Sequence, residues 1–97
     1  MKRSALLAGL PLMAGCVLPD GVTQDDVAAF DAAVASVGCD LGTEREFIAV
    51  GFQTGIPRET LVEIAQYQLS LDRALPLSNG GVRLVTGACA PDPEVSA

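Results

Sequence analysis

The spacing of apolar residues changes once along the chain, near residue 72, from a helical period to an alternating one. Before this point apolar residues recur three and four positions apart, as on one face of a helix. After it, two alternating runs (73–77 and 82–86) flank Ser78-Asn79-Gly80-Gly81, and Asn-Gly between such runs is a strong hairpin signal. Pro76 cannot donate to a sheet ladder, so its strand is expected at an edge. The chain is therefore predicted to be mainly α with a small β-hairpin.

Three helices are predicted before the hairpin, and capping boxes mark the first two. Thr23 opens the first helix with Asp26 three residues on, and Gly38 is expected to end it in a left-handed cap. The inner stripe of this helix consists of Val27, Phe30, Val34 and Val37. Thr43 and Glu46 form the second capping box, which opens a helix of about ten residues. The apolar residues of that second helix are Phe47, Ile48, Val50 and Phe52.

A glycine turn separates the second helix from the third. Gly55 is expected to adopt a positive φ, and Pro57 to start the third helix, which runs to about Ser70. The residues predicted to face the core are Leu61, Ile64, Ala65 and Leu69. The residues predicted to face outward are Glu59, Glu63, Gln66 and Tyr67.

The first sixteen residues have the layout of a secretory signal. Lys2 and Arg3 are followed by an apolar run of about ten residues and then by small residues. The run is shorter than the roughly 20 residues that a membrane-spanning helix needs. The alternative is an apolar first helix of a cytoplasmic protein, which Gly9 and Pro11 would weaken.

Met13-Ala14-Gly15-Cys16 resembles the bacterial lipobox, in which leucine is usual where Met13 stands. The resemblance implies that Cys16 carries a diacylglycerol and becomes the N-terminus, so that residues 1–15 are a signal peptide and 16–22 a lipid-anchored tether. The protein would then face the periplasm. Val17 stands where similar lipoproteins carry the aspartate that retains them in the inner membrane, which favours the outer membrane. A cut after Cys16 by an ordinary signal peptidase is the alternative.

Two cysteines remain when Cys16 is lipidated or removed. Cys39 and Cys89 are then an even pair in an oxidising compartment, which predicts a disulfide. The bridge would close a loop of 51 residues, which is worth roughly 4 kcal/mol on the chain-entropy model. This matters for a mature chain of 82 residues, because one core of that size barely offsets conformational entropy. Two buried free thiols are the alternative.

The order helix, extended link, helix, glycine turn, helix, hairpin resembles the winged helix-turn-helix fold of bacterial regulators. Residues 55–61 look like the start of the recognition helix, and residues 75–84 look like the wing. The resemblance implies a small winged-helix-like domain over 23–89, in which the link after the first helix pairs with the second wing strand and brings Cys39 towards Cys89. The alternative is a three-helix bundle with an incidental hairpin. The tail, 90–97, is expected to be disordered.

Charge argues against the usual partner of that fold. Loss of Lys2 and Arg3 with the signal changes the formal net charge from −6 to −8. The third helix carries Arg58 but also Glu59 and Glu63, so we expect no binding to nucleic acid.

The sequence also lacks most groups that catalysis uses. It has no histidine, no lysine after the signal, and no cysteine left once the bridge has formed. Two carboxylate pairs, Asp25–Asp26 and Glu59–Glu63, are interpreted as a capping turn and a solvated helix face. We therefore expect no enzymatic activity, no cofactor and no metal.

The function predicted from the sequence is that of a small lipid-anchored cell-envelope protein, acting as a protein-interaction or structural accessory module. Its expected partners are the membrane, through lipid on Cys16, and an envelope protein. A cytoplasmic winged-helix DNA-binding regulator is the alternative, and an envelope enzyme or ligand binder is a third possibility that the missing groups disfavour.

Overall fold

The computed structural model describes residues 17–91 of the 97-residue chain. Its elements are α1 (Gln24–Ser36), β1 (Asp40–Leu41), α2 (Glu44–Thr54), α3 (Arg58–Ser70), β2 (Ala74–Pro76) and β3 (Val82–Leu84). A 3-10 turn, Gly87–Cys89, follows β3. The prediction of a mainly α domain with a small β element is confirmed. The predicted signal peptide, Cys16 and residues 92–97 of the predicted tail lie outside the described residues.

Both predicted capping boxes are present. The Thr23 hydroxyl accepts from the Asp26 N–H at 3.1 Å, and the Asp26 carboxylate accepts from the Thr23 N–H at 3.0 Å. Thr43 and Glu46 repeat the arrangement at the start of α2. Glu46 also accepts from the Gly42 N–H at 2.8 Å. The hydrogen bonds from the backbone N–H groups of Gly42 and Thr43 lower the pKa of Glu46, and the bond from Gly42 has the larger effect.

A glycine with a positive φ follows the end of α1 and the end of α2, as predicted. Gly38 adopts a φ of +102° and donates to the Ala35 carbonyl, while the Cys39 N–H donates to Val34 at 2.9 Å. This pair of bonds is a Schellman motif. Gly55 adopts a φ of +75° after α2, as predicted. Pro57 is the N-cap of α3 and not its first residue, a difference of one position.

The core forms where α1, α3 and the sheet meet. The buried apolar residues are Val22, Val27, Phe30, Ala33, Val34, Leu41, Val50, Leu61, Ile64, Ala65, Tyr67, Ala74, Val82 and Leu84. They include most of the inner stripes predicted for α1 and α3. Val37 and Leu69, the remaining members of those stripes, are half-buried and pack against the same cluster.

The sheet is antiparallel, with the strand order β1-β3-β2. Asp40 pairs with Arg83 across β1 and β3, and Pro76 pairs with Val82 across β2 and β3. Pro76 therefore lies on an edge strand, as predicted. The link after the first helix pairs with the second hairpin strand, which is the pairing that the winged-helix resemblance implied.

The hairpin turn is longer than a two-residue Asn-Gly turn. Leu77 donates to the Gly81 carbonyl at 2.8 Å, and Gly80 donates to Leu77 at 3.0 Å. Only Gly80 of the three residues between them has a positive φ, at +91°. Ser78, Asn79 and Gly80 thus form a three-residue loop, in which a left-handed glycine closes the turn.

Gly81 lies directly against the backbone of β1, and its replacement by alanine is expected to destabilise the fold. The added Cβ would overlap the Gly42 Cα and the Leu41 carbonyl oxygen, which are backbone atoms that cannot rotate away. We expect Gly81→Ala to lower the free energy of unfolding by about 1–3 kcal/mol, measured by urea denaturation.

Gly51→Ala is the matched control for that measurement. A Cβ at this position in α2 would make ordinary contacts, 3.7 Å from the Ile56 carbonyl oxygen and 3.8 Å from Leu61. Alanine in a helix interior is favoured over glycine by roughly 0.5–1 kcal/mol. The two variants should therefore shift stability in opposite directions, and equal effects would contradict the close approach at Gly81.

Candidate functional site

The predicted lipidation site, Cys16, lies immediately before the described part of the chain. The residues that follow it, 17–22, are called the N-terminal arm here. Val22 is buried, and Leu18 is half-buried against the core. Val17, next to Cys16, is 64% exposed. The arm is thus packed on the domain at two of its residues while its first residue remains in solvent.

A turn shapes the arm between its two packed residues. The Val22 N–H donates to the Pro19 carbonyl at 3.0 Å, and Gly21 adopts a φ of +79°. Pro19, Asp20 and Gly21 are residue types that favour such a turn. Because the turn and the buried Val22 hold it, the segment predicted as a tether is attached to the domain.

The arm lies beside the outer face of α3. Residues 17–20 share the lining of a shallow cleft of about 550 Å³ with Glu63, Gln66 and Ser70. Tyr67 lines the same cleft and is only 9% exposed. The prediction that Tyr67 faces outward is wrong: Tyr67 belongs to the same buried cluster as Val22 of the arm, and Leu18 packs against that cluster.

The predicted pair Cys39 and Cys89 is disulfide-bonded, with the two Cα atoms 5.8 Å apart. Cys39 follows the end of α1 at a φ of +75°, and its carbonyl accepts from the Leu84 N–H at 2.8 Å. Cys89 ends the 3-10 turn and packs half-buried against the core. The bridge therefore ties the end of α1 to the segment that leaves β3.

Two large apolar side chains of α2 point into solvent. Ile48 is 62% exposed and Phe52 is 91% exposed, and they lie four residues apart on one helix face. This pair is called the α2 apolar face. Val50, on the other side of the helix, is fully buried. Contiguous exposed apolar groups mark interaction sites more often than scattered ones do.

A cleft of about 300 Å³ adjoins the α2 apolar face where α2 meets the start of α3. Phe47, Ile56 and Leu61 contribute apolar walls to this cleft. Arg58 lies at its rim, with the guanidinium carbon 4.4 Å from the centre of the Phe47 ring and Nη1 2.8 Å from a Glu44 carboxylate oxygen. Both charged side chains are more than half exposed, so this ion pair adds little stability and mainly positions Arg58.

A buried polar contact joins α1 to α3. Gln68 is fully buried, and its Nε2 donates to the Asp31 carboxylate at 2.7 Å. Burial raises the pKa of Asp31, and the hydrogen bond from Gln68 partly opposes that rise. The sequence contained a signal for Gln68, because it follows Leu61 by seven residues and Ile64 by four. One carboxylate bonded to one amide is a structural contact and supplies no catalytic pair.

Of the two arginines in the hairpin runs 73–77 and 82–86, Arg83 is paired with a carboxylate. Arg83 donates to both carboxylate oxygens of Asp40, at 2.8 and 3.1 Å. The Arg83 hydrogen bond lowers the pKa of Asp40. Asp40 lies on β1 and Arg83 on β3, so this ion pair links two neighbouring strands of the sheet.

The carboxylate pairs noted in the sequence occupy different surroundings. Asp26 belongs to the capping box of α1, whereas Glu59 and Glu63 are exposed on α3. Within residues 17–91, no three histidine, cysteine or acidic side chains come together as metal ligands would. Across the same part of the chain, no helix combines the length and apolarity needed to cross a membrane.

No protein-family profile, curated protein or solved structure matches this chain.

Proposed function

We propose that this chain is a small lipid-anchored protein of the bacterial cell envelope, whose domain acts as a protein-interaction or structural accessory module. The observation that carries the proposal is the exposure of the α2 apolar face, next to the cleft between α2 and α3. Ile48 and Phe52 are large apolar groups that no other side chain of residues 17–91 covers. A protein partner that covers them would remove that apolar area from water.

Two features that are typical of exported proteins support the same proposal. The lipobox-like sequence supplies a thiol at Cys16, and Cys39 and Cys89 form a bridge that an oxidising compartment would maintain. Membrane attachment through Cys16, on the periplasmic side and with the outer membrane preferred, follows from the resemblance to lipoproteins.

We further propose that the domain is winged-helix-like. The order of the helices, the strand order β1-β3-β2 and the antiparallel pairing of the link with the second hairpin strand support this assignment. The element order is also the observation that favours the alternative function, a cytoplasmic DNA-binding regulator.

Three features of the domain argue against that alternative. Arg58 and Arg83, on the recognition-like helix and the hairpin, are paired with carboxylates of the same chain. Glu63 is exposed on the outer face of α3, where DNA would have to approach. The arm lies beside the same face and limits access to it. A DNA-binding helix needs free cations and an open face.

Replacement of Phe52 tests the interaction surface. We expect Phe52→Ser to weaken capture of the envelope partner at least roughly tenfold, the equivalent of 1.4 kcal/mol, because an apolar anchor is lost. Capture is measured by crosslinking in cells followed by purification from membranes. Since Phe52 is 91% exposed, the thermal midpoint of the domain should stay unchanged.

Leu75→Ser is the matched control, because Leu75 is 50% exposed on the edge strand β2 and lies outside the α2 apolar face. It should capture the same proteins as the unaltered chain. The proposed surface is wrong if Phe52→Ser and Leu75→Ser both behave like the unaltered protein.

A further inference from the structure

The lipid would be attached next to a part of the chain that packs on the domain. Cys16 directly precedes Val17, and consecutive Cα atoms lie about 3.8 Å apart. Val17 lines the cleft beside α3, and the packed residues Leu18 and Val22 follow within five positions. A lipid on Cys16 would therefore enter the bilayer beside α3 and not at the end of a long free linker.

We infer that the N-terminal arm and the outer face of α3 are the membrane-facing surface of the domain, an inference that rests on the proposed lipidation of Cys16. The arm and the C-terminal half of α3 contribute the residues of this surface: Val17, Leu18, Glu63, Gln66 and Ser70. Val17 supplies an exposed apolar side chain next to the anchor, where contact with the lipid interface removes it from water.

The membrane-facing surface carries carboxylates, so the headgroups that it contacts should not be anionic. Asp20 and Glu63 both line the cleft, and none of the arginines in residues 17–91 lines it with them. Anionic headgroups would repel these groups, whereas zwitterionic headgroups offer an ammonium beside each phosphate. The covalent anchor brings this face to the bilayer, and a zwitterionic surface is the one that it fits.

In this orientation the α2 apolar face is not part of the membrane-facing surface. The cleft beside the arm and the cleft beside α2 have no lining residue in common. On α3, Arg58 and Leu61 line the cleft beside α2, whereas the lining of the cleft beside the arm begins at Glu63 and ends at Ser70. A partner in the periplasm could thus reach Phe52 while the domain rests on the membrane.

Paramagnetic broadening of amide signals tests the orientation. Residues 16–97 retain every buried residue of the described core, and with the bridge formed Cys16 is their one free thiol. This chain is coupled through Cys16 to a maleimide lipid in phosphatidylcholine nanodiscs that contain a headgroup-labelled paramagnetic lipid. We expect broadening several-fold stronger at amides 63–70 than at amides 45–56.

A variant with a Gly/Ser linker of about ten residues between Cys16 and Val17, spanning roughly 17 Å, is the matched control. It should lose the difference between the two segments, because the anchor no longer fixes α3. Uniform broadening in the directly coupled chain, stronger broadening at 45–56, or a difference that survives the linker would each overturn the inference. The lipid is attached chemically, so these outcomes are independent of whether cells modify Cys16.

Discussion

Replacement of Cys16 by serine is expected to move the protein from the membrane fraction to the soluble fraction. The cysteine sulfur is the atom that would carry the lipid, and a serine hydroxyl does not form the thioether. Each buried CH₂ of an acyl chain contributes about 0.8 kcal/mol to membrane binding, so two or more chains hold a small domain firmly. Loss of the anchor should reduce membrane association from nearly complete to background, measured by fractionation after a salt wash.

Met13→Leu is the control for this substitution, because it restores the residue that is usual in the lipobox. This variant should remain in the membrane fraction. Cys16→Ser should keep the thermal midpoint of the domain, since Cys16 takes no part in the bridge between Cys39 and Cys89. A Cys16→Ser protein that still pellets with membranes after the wash would remove the basis for the lipid anchor.

The features that the sequence predicted correctly depend on residues close together in the chain. The capping box of Thr23 and Asp26 is closed by groups three residues apart. Gly38 ends α1 because a positive φ is costly for other residues at that place. Neither feature needs information about the tertiary structure, so both could be predicted from the local sequence.

The α2 apolar face shows where local patterns stop being informative. Helix α2 carries apolar residues on both sides, with Val50 on one side and Ile48 and Phe52 on the other. The helical period places them on different faces but does not say which face meets the core. That choice is made by α1, α3 and β1, which pack against one side only.

Tyr67 was predicted on the wrong face of α3 for a related reason, whereas the helical period does place Gln68 on the inner face. Tyr67 is buried in the same cluster as Val22 of the arm, which lies 45 residues earlier in the sequence. What the period does not show is the partner of Gln68, Asp31 on α1, which accepts its hydrogen bond. Polar or amphipathic residues become buried when a distant segment covers or binds them, and periodicity within one helix carries no record of that segment.

For the candidate site, the pairing of Cys39 with Cys89 was predictable by elimination once Cys16 was assigned to the lipid, and it is confirmed. The role of Cys16 itself stays a prediction. The position of the arm on α3 could not be read from the sequence, because Leu18 and Val22 are too few to define a helical or strand period.

Loss of the disulfide is expected to lower the thermal midpoint of the domain by roughly 15–30 °C. The bridge joins residues 50 positions apart, and a loop of that length corresponds to roughly 4 kcal/mol on the chain-entropy model. Cys89→Ser is the variant of choice, because it leaves the residue with a φ of +75°, Cys39, unchanged. The midpoint is measured by circular dichroism for the oxidised protein, the reduced protein and the variant.

Agreement between the reduced protein and Cys89→Ser is what assigns the loss of stability to the bridge. Reduction keeps both side chains in place and removes only the covalent bond, so any extra loss in Cys89→Ser reports the packing of Cys89 against the core. A domain of this size has only a few kcal/mol of stability in total, so its reduced form should be partly unfolded at growth temperature. That behaviour would be consistent with the proposed export, in which folding is completed by oxidation of the two cysteines. Equal midpoints for all three samples would show that the bridge contributes nothing to stability. The fold would then not depend on an oxidising compartment.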